Sequence, residues 1–362
     1  MNRHPAFPWI ARIANLIVEP ADYERVILPA LADAWHERPD HHAAGWRARV
    51  ALHILRTALV AAWARTVQSA LRTRWWAFGL ATLAGVAGCI GLRTSMQGGS
   101  GAHAQLIFLA IGLVVGLLIA LMPDRWLQGA GTVATILGAM ALLVVVSHGT
   151  AFDGARRWLC MGSICIHVST LVLPVFGAVM VRAARSRFRL AAPAVTLAVL
   201  GLLALEPDAA AVVIYGMVAL VAARRSRALL PVAAISSLGS MVALSGHVVL
   251  TPVPHVEGAA ELLALEHPLW FVVAMASIAG LCLVALSAWV RAATRHRGGE
   301  SSIGAATTAL VALLFVPWVM GDGGVPWVSY GGSAIVAAFM LIAWLLRAER
   351  RGREDSGHLD RA

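Results

Sequence analysis

Charged side chains are scarce in this chain of 362 residues, at 13% of the total against roughly 25% in soluble domains. Hydrophobic residues make up 59%, and the mean hydropathy is +0.75. A soluble helical protein would place polar faces between its apolar ones at helical period. The shortage of charge therefore excludes an ordinary water-soluble fold.

Lysine is absent, so all 29 basic residues are arginine, and the formal net charge is +10. Nucleic acid is a common partner for a basic chain. Here the arginines lie in short segments between apolar blocks, where the positive-inside rule of membrane topology accounts for them. We predict no nucleic-acid partner and attribute the missing lysine to the codon usage of a GC-rich bacterial genome.

Apolar blocks of roughly 15 to 24 residues predict an all-α, polytopic membrane protein of about ten transmembrane helices. The predicted spans are 75–92, 104–122, 127–147, 168–184, 190–205, 209–223, 229–249, 268–290, 303–320 and 327–346. Arginine is concentrated in alternate connections, and the opposite connections hold only Arg93, Arg156 and Arg157. By the positive-inside rule, both termini are expected in the cytoplasm.

The spans divide the chain into three regions. We predict a cytoplasmic, amphipathic helical region, a transmembrane domain with two external loops at 148–167 and 250–267, and a cytoplasmic tail; these regions are 1–74, 75–347 and 348–362. The first region lacks the features of a cleavable signal peptide, so none is expected. Within it, residues 43–72 suit a basic helix lying on the inner leaflet, and a small helical domain packed on itself explains the pattern equally well.

The first external loop contains two adjacent arginines, Arg156 and Arg157, against the positive-inside rule. Paired guanidinium groups suit the capture of a phosphate or diphosphate, although anchoring to lipid headgroups is the other explanation. Two short spans are joined by Glu206-Pro207-Asp208, which predicts a tight hairpin. Its acids either begin the next helix or face a polar cavity, because a carboxylate at membrane depth is otherwise costly.

The second external loop is rich in carboxylates and imidazoles, namely His255, Glu257, Glu261, Glu266 and His267. Such groups can supply a general base or a ligand for a divalent cation. No spacing among them specifies a metal site, and solvated loop charge fits as well. We therefore assign no metal-ligating residues.

The four cysteines fall into two pairs. Cys89 and Cys282 lie in predicted spans and are expected to be packing residues. Cys160 and Cys165 share the first external loop, where an oxidising compartment would allow a disulfide between them.

Three motifs together resemble the signatures of the SEDS family (shape, elongation, division and sporulation), to which FtsW, RodA and SpoVE belong. Residues 154–158 read GARRW, residues 206–208 read EPD where the family has QPD, and residues 325–333 read VPWVSYGGS where it has LPFVSYGGS. The motifs follow the family order, and the resemblance extends over about residues 75–347. It implies the family's ten-helix bundle with both termini in the cytoplasm.

The resemblance also implies a function. Members of the family are peptidoglycan glycosyltransferases that polymerise lipid II, the undecaprenyl-diphosphate-linked disaccharide-pentapeptide, at the outer face of the bacterial cytoplasmic membrane. They act in cell division or cell-shape control. The expected partners are lipid II, a class B penicillin-binding protein and membrane lipids, and a divalent cation, Mg²⁺ or Mn²⁺, is the one cofactor considered.

Site residues follow from the same resemblance. Glu257 aligns with the family's proposed catalytic aspartate, so it is the expected general base. The expected substrate-binding residues are Arg156, Arg157, Trp158, Asp208, His255, Ser329, Tyr330, Gly331 and Gly332.

The chain also departs from the family pattern. Residues 166–170 read IHVST where the family has FQPSE, so Thr170 stands where the family has glutamate, and residues 209–211 read AAA in place of LGT. These differences keep two alternatives open. One is a non-catalytic scaffold of the cell-wall synthesis machinery, and the other is a lipid II flippase.

Overall fold

Apolar runs broken by proline, glycine and arginine set the helix boundaries of this protein. The structure is a computed structural model, and it describes residues 27, 29, 49–58, 76–94, 98–122, 124–152, 155–161, 164–185, 191–206, 208–223, 230–245, 259–295, 300–320 and 332–359. Contacts divide the chain into two units, Met1–Arg74 and Trp75–Ala362.

The described part of the second unit contains eleven helices and one small sheet. Its described helices are α1 Trp76–Thr94, α2 Gly98–Leu121, α3 Asp124–His148, α4 Val168–Arg185, α5 Ala191–Leu205, α6 Ala209–Ala223, α7 Leu230–Ser245, α8 Ala259–Glu266, α9 Pro268–Arg295, α10 Glu300–Val319 and α11 Gly332–Leu359. Its strands are β1 Thr150–Phe152, β2 Ala155–Met161 and β3 Ile164–His167.

Five of these helices contain windows long and apolar enough to cross a membrane. They are Trp76–Arg93, Gly101–Leu121, Gly129–His148, Pro268–Ala293 and Gly332–Arg350. Five shorter apolar helices contain Val168–Ala183, Pro193–Leu205, Ala209–Ala223, Ala233–Leu244 and Ser302–Pro317. Together they lie over the ten predicted spans, so the predicted polytopic helical fold is confirmed.

Helix α11 lies at the centre of the packing and α3 at the edge. The apolar window of α11 is 67% buried, and it packs on α2, α4 and α10. The window of α3 is 17% buried and exposes Val133, Ile136, Leu137 and Met140. Exposed apolar faces of this kind suit contact with lipid, in which side chains need no polar cover.

Two connections carry structure that the sequence did not predict. In the predicted first external loop, residues 150–152, 155–161 and 164–167 form a three-stranded antiparallel sheet in the order β1-β2-β3. The loop 250–267 contains α8. The all-α prediction therefore holds for the spans, whereas the described residues of the first external loop form strands, in which successive side chains face opposite surfaces.

The last helix is longer than the predicted span. It continues past residue 346 to Leu359, into the predicted tail. Alanine, arginine and glutamate, which favour helix, dominate this stretch, and Glu349 accepts a 2.6 Å hydrogen bond from the Arg291 guanidinium of α9.

The first unit is described mainly at residues 49–58, which are helical. Val50, Ile54 and Ala58 are buried at a spacing of four, while Leu52 and Leu55 are exposed. The rest of the predicted amphipathic segment lies outside the described residues, so both explanations of residues 1–74 stay predictions.

Candidate functional site

A polar site forms where the sheet meets the turn after α5 and the beginnings of α4 and α11. Strand β3 ends at His167 and α4 begins at the next residue, so His167, Ser169 and Thr170 all lie at this junction. The backbone N–H of His167 donates a 2.8 Å hydrogen bond to the Ser333 hydroxyl, near the start of α11. The site is thereby assembled from segments up to 166 residues apart in sequence.

Asp208 is the N-cap of α6. This agrees with one of the two explanations drawn from the sequence, that the acids of this turn begin the next helix. Its Oδ1 accepts a 2.9 Å hydrogen bond from the Ala211 backbone N–H, as a capping carboxylate does. Its Oδ2 accepts a hydrogen bond from the Ser169 hydroxyl. Burial raises the pKa of Asp208, but His167, Arg157 and these hydrogen bonds outweigh it, so the net shift is downward. Asp208 is therefore ionised although its side chain is 1% exposed.

His167 links Asp208 to Thr170. Its Nε2 lies 3.4 Å from Asp208 Oδ2, and its Nδ1 is hydrogen-bonded to the Thr170 hydroxyl. The ring lies against Trp158, with 5.3 Å between ring centroids. The His167 side chain is 25% exposed, whereas Asp208 is fully enclosed. A buried carboxylate thus lies beside a more accessible imidazole.

Glu206 has the opposite environment to Asp208. Its side chain is buried, and neither carboxyl oxygen accepts a hydrogen bond of normal geometry from the described residues. Burial first, and then the charge of Asp208, raise the pKa of Glu206 to about 9, which Ser169 and Arg157 only partly offset. Glu206 is therefore a neutral acid near pH 7.

The two adjacent arginines point to different surroundings. Arg156 is exposed, and its Nη1 lies 3.5 Å from the Ser147 carbonyl oxygen. Arg157 is 1% exposed, and its charge acts on Asp208 and Glu206. Successive side chains of β2 face opposite sides of the strand. The pair therefore does not present two guanidinium groups to one surface, contrary to the arrangement that their adjacency suggested.

The sheet is closed by a disulfide. Cys160 pairs with Cys165 across β2 and β3, and the two are disulfide-bonded. In the same ladder Trp158 pairs with His167. The cross-link therefore lies on the hairpin that holds the His167 ring against Trp158.

Gly332 opens α11 next to α2. A Cβ added at Gly332 would collide with the Phe108 ring, so this position requires glycine in the observed packing. The next residue, Ser333, is buried and accepts the hydrogen bond from His167. The last residue of the glycine-rich motif, Ser333, is thus hydrogen-bonded to the last residue of β3, His167.

Several predicted site residues lie outside the described part of the chain. They are His255, Glu257, Ser329, Tyr330 and Gly331, and their roles stay predictions. Glu261 and Glu266 lie in α8 and are exposed. Among the described residues no three His, Cys, Asp or Glu side chains group closely enough to hold a metal ion.

Residue-level reasoning on the sequence did not assign roles to His167, Ser169 and Thr170, and it left Glu206 as either a helix-starting acid or an acid that faces a polar cavity. The signal available was the spacing of His167 and Thr170, three residues apart at the beginning of a predicted span. Only the chain fold brings Asp208 to them, since it lies 39 residues after Ser169.

Residues 66–254 match the family model FTSW_RODA_SPOVE, described as cell cycle protein. That region contains Arg156, Arg157, His167 and Asp208 and ends before Glu257. A curated relative from Halomonas elongata, named "Probable peptidoglycan glycosyltransferase FtsW", is 28% identical over 155 residues. The match covers 38% of this chain and 39% of that protein.

Solved structures give a broader likeness in fold. A mutant of the rod shape determining protein RodA from Thermus thermophilus aligns with a TM-score of 0.58 and 20% identity, covering 77% of this chain and 97% of that one. The RodA crystal structure without the mutation aligns with a TM-score of 0.55 and 19% identity, covering 77% of this chain and 97% of that one. A third solved structure is a chain of a peptidoglycan synthase complex, described for its structural coordination of polymerization and crosslinking. It aligns with a TM-score of 0.53 and 18% identity, covering 77% of this chain and 98% of that one.

Proposed function

The chain belongs to the FtsW, RodA and SpoVE family of cell cycle proteins, and on that premise we propose that it is a peptidoglycan glycosyltransferase. It is a multi-pass protein of the bacterial cytoplasmic membrane. The proposed reaction is the polymerisation of lipid II at the outer face of that membrane. The observation that carries the proposal is the convergence of Arg157 and Asp208, from two motifs of the family, with His167 at one site.

In the proposed mechanism Glu257 is the general base. It takes the proton from the 4-hydroxyl of the acceptor sugar, whose oxygen attacks the anomeric carbon of the donor chain. The bond from that carbon to undecaprenyl diphosphate breaks, and the electron pair leaves with the diphosphate. Arg156, which is exposed on β2, is suited to balance the developing charge because a guanidinium can contact two phosphate oxygens.

A divalent cation, Mg²⁺ or Mn²⁺, is the cofactor considered for this reaction, in which it would help to balance the charge of the diphosphate. The described residues contain no set of three ligating side chains for it.

The direct test is polymerisation of labelled lipid II by the purified protein, with and without a divalent cation. Wild type is expected to make glycan strands, and Glu257→Gln is expected to lose roughly 10² to 10⁴-fold in rate. Glu261→Gln is the matched control, because Glu261 is an exposed acid in α8. Equal rates for the two variants would remove Glu257 from the mechanism, and an inactive wild type would contradict the proposed activity.

A non-catalytic scaffold is the second candidate, and one observation favours it. Thr170 occupies the position of a family glutamate, so the carboxylate that the family has there is missing. A class B penicillin-binding protein is the proposed partner in either case, and the likeness to a chain of a peptidoglycan synthase complex supports it. Co-purification of such a partner without lipid II turnover, followed by gain of turnover in Thr170→Glu with Glu257→Asp, would favour the scaffold.

A further inference from the structure

Thr170, His167 and Asp208 form one continuous row of polar contacts. The Thr170 hydroxyl bonds to Nδ1 of His167, and Nε2 of the same ring lies 3.4 Å from Asp208 Oδ2. Thr170 is half-buried, and Asp208 is enclosed. The row therefore runs from a partly accessible hydroxyl to a buried carboxylate.

Each member of the row is held by the fold. Asp208 accepts hydrogen bonds from Ser169 and from the Ala211 backbone. The ring of His167 lies against Trp158, and its backbone N–H is bonded to Ser333. A hydroxyl, an imidazole and a carboxylate in sequence are the parts of a proton relay, which is recognised by geometry and not by position in the chain.

We propose that Thr170, His167 and Asp208 form a hydroxyl–imidazole–carboxylate relay that donates a proton to the diphosphate leaving group. The proposal rests on the glycosyl transfer proposed above, and it assigns that reaction its acid. Glu257 remains the base on the acceptor side.

The direction of the relay follows from the hydrogen-bonding capacity of the ring. A protonated imidazole carries a proton on each nitrogen. Here Nδ1 donates to the Thr170 oxygen, and Nε2 faces Asp208 Oδ2 at 3.4 Å as an ion pair. The proton of the Thr170 hydroxyl is then available to a group outside the row. The ionised Asp208 stabilises the imidazolium, while Arg157 and the neutral Glu206 are the other titratable groups of this cluster.

The proton transfers balance. As the bond between the anomeric carbon and the diphosphate oxygen breaks, that oxygen takes the electron pair and accepts the Thr170 hydroxyl proton. Thr170 regains a proton from Nδ1 of His167, which becomes neutral and keeps its Nε2–H toward Asp208. The proton taken from the acceptor hydroxyl remains on Glu257, and exchange with water restores both groups.

Polymerisation tests the relay through a pair of substitutions at Thr170. Thr170→Ser keeps the hydroxyl and is expected to stay within a few-fold of wild type, whereas Thr170→Val keeps the shape and is expected to lose roughly 10²-fold in kcat. Equal rates for the two variants would overturn the relay. Asp208→Asn, which can still cap α6, is expected to resemble Thr170→Val.

The pH profile of kcat/KM tests the direction of proton transfer. An acid relay loses rate on the alkaline side as the imidazolium deprotonates, and His167→Gln is expected to remove that limb. Loss of the acidic limb instead would make His167 a base and contradict the proposal.

A binding measurement separates failure of the relay from failure of the proposed function. The probe is undecaprenyl diphosphate added to the full chain in lipid nanodiscs. Thr170→Val is expected to weaken its binding roughly 10-fold relative to Thr170→Ser, because a hydrogen bond to a charged group is lost. If wild type makes no glycan but this difference persists, the polymerase proposal fails and the diphosphate contact stands. If neither variant alters binding or turnover, the relay is wrong.

Discussion

Two carboxyl groups separated by one proline have opposite protonation states in this protein. Asp208 is ionised because Ser169, Ala211, His167 and Arg157 act on it, and Glu206 is neutral because burial dominates its environment. Neighbouring acids whose environments separate their pKa values are a feature of acid–base sites. The protonation state of each acid therefore depends on what surrounds its carboxyl oxygens, and not on whether the residue is aspartate or glutamate.

Glu206 makes stability depend on pH. Its folded pKa of about 9 exceeds its ordinary value of 4.5. The stability that the protonated Glu206 side chain contributes to the folded state is therefore fully present below about pH 4.5, and it is lost as the pH rises through about 9. Because glutamine is neutral at every pH, Glu206→Gln is expected to unfold at a higher temperature than wild type at about pH 9, with the difference shrinking toward about pH 5.

Thermal unfolding in detergent across that range measures the effect of Glu206. Glu261→Gln, at an exposed acid, is the control and is expected to follow wild type. A constant difference between wild type and Glu206→Gln at all pH values would contradict the buried neutral acid.

At the scale of helices, small residues bring α2 and α11 close together. A Cβ on Gly112 would lie 2.7 Å from the Phe339 ring, and a Cβ on Gly116 would lie 2.7 Å from the Phe78 ring and 3.0 Å from the Phe339 carbonyl oxygen. Glycines four residues apart are a common device for close helix packing in membranes. The pair lets α11, whose apolar window is 67% buried, approach α2 closely.

Gly116→Ala is expected to destabilise the protein by about 1–3 kcal/mol, since the added methyl group overpacks this contact. Gly131→Ala is the matched control, because a Cβ there meets nothing within 4 Å and alanine favours helix. The two unfolding midpoints, measured in the same detergent, are compared. Equal midpoints would show that the α2–α11 contact tolerates an extra methyl group.

The β2–β3 hairpin is a second element whose cohesion can be tested. Its disulfide closes a short loop, Cys160 to Cys165, and chain-entropy arguments assign such a loop about 2 kcal/mol. The double substitution Cys160→Ser, Cys165→Ser is expected to raise amide hydrogen exchange in β2 and β3 and to lower stability by up to that amount. Cys282→Ser, at an unpaired cysteine, should leave exchange in the hairpin unchanged.

At the scale of the whole molecule, orientation across the membrane follows from arginine placement. The positive-inside rule predicts that both termini are cytoplasmic. A green fluorescent protein fused to the carboxyl terminus is therefore expected to fluoresce, and alkaline phosphatase inserted in loop 250–267 to be active. The reverse pair of signals would invert the predicted topology and place the Asp208 turn on the cytoplasmic side.

Sequence by itself determined the membrane fold, because apolar runs of spanning length have few alternative structures in lipid. It also identified the motifs at Arg156, Arg157 and Asp208, whose spacing along the chain is local information. The glutamate at position 257 remains a prediction from alignment, since it lies outside the described residues.

Only the tertiary structure decided which of these polar groups meet. Strand pairing turned Arg156 outward and enclosed Arg157, and the hairpin of α5 and α6 brought Asp208 to His167, 41 positions away in sequence. Burial then made Glu206 neutral while its neighbour stayed charged. These contacts join residues far apart in sequence, and the protonation state of each acid depends on the burial and charges around it. Neither the contacts nor the protonation states can therefore be read from a single segment of the chain.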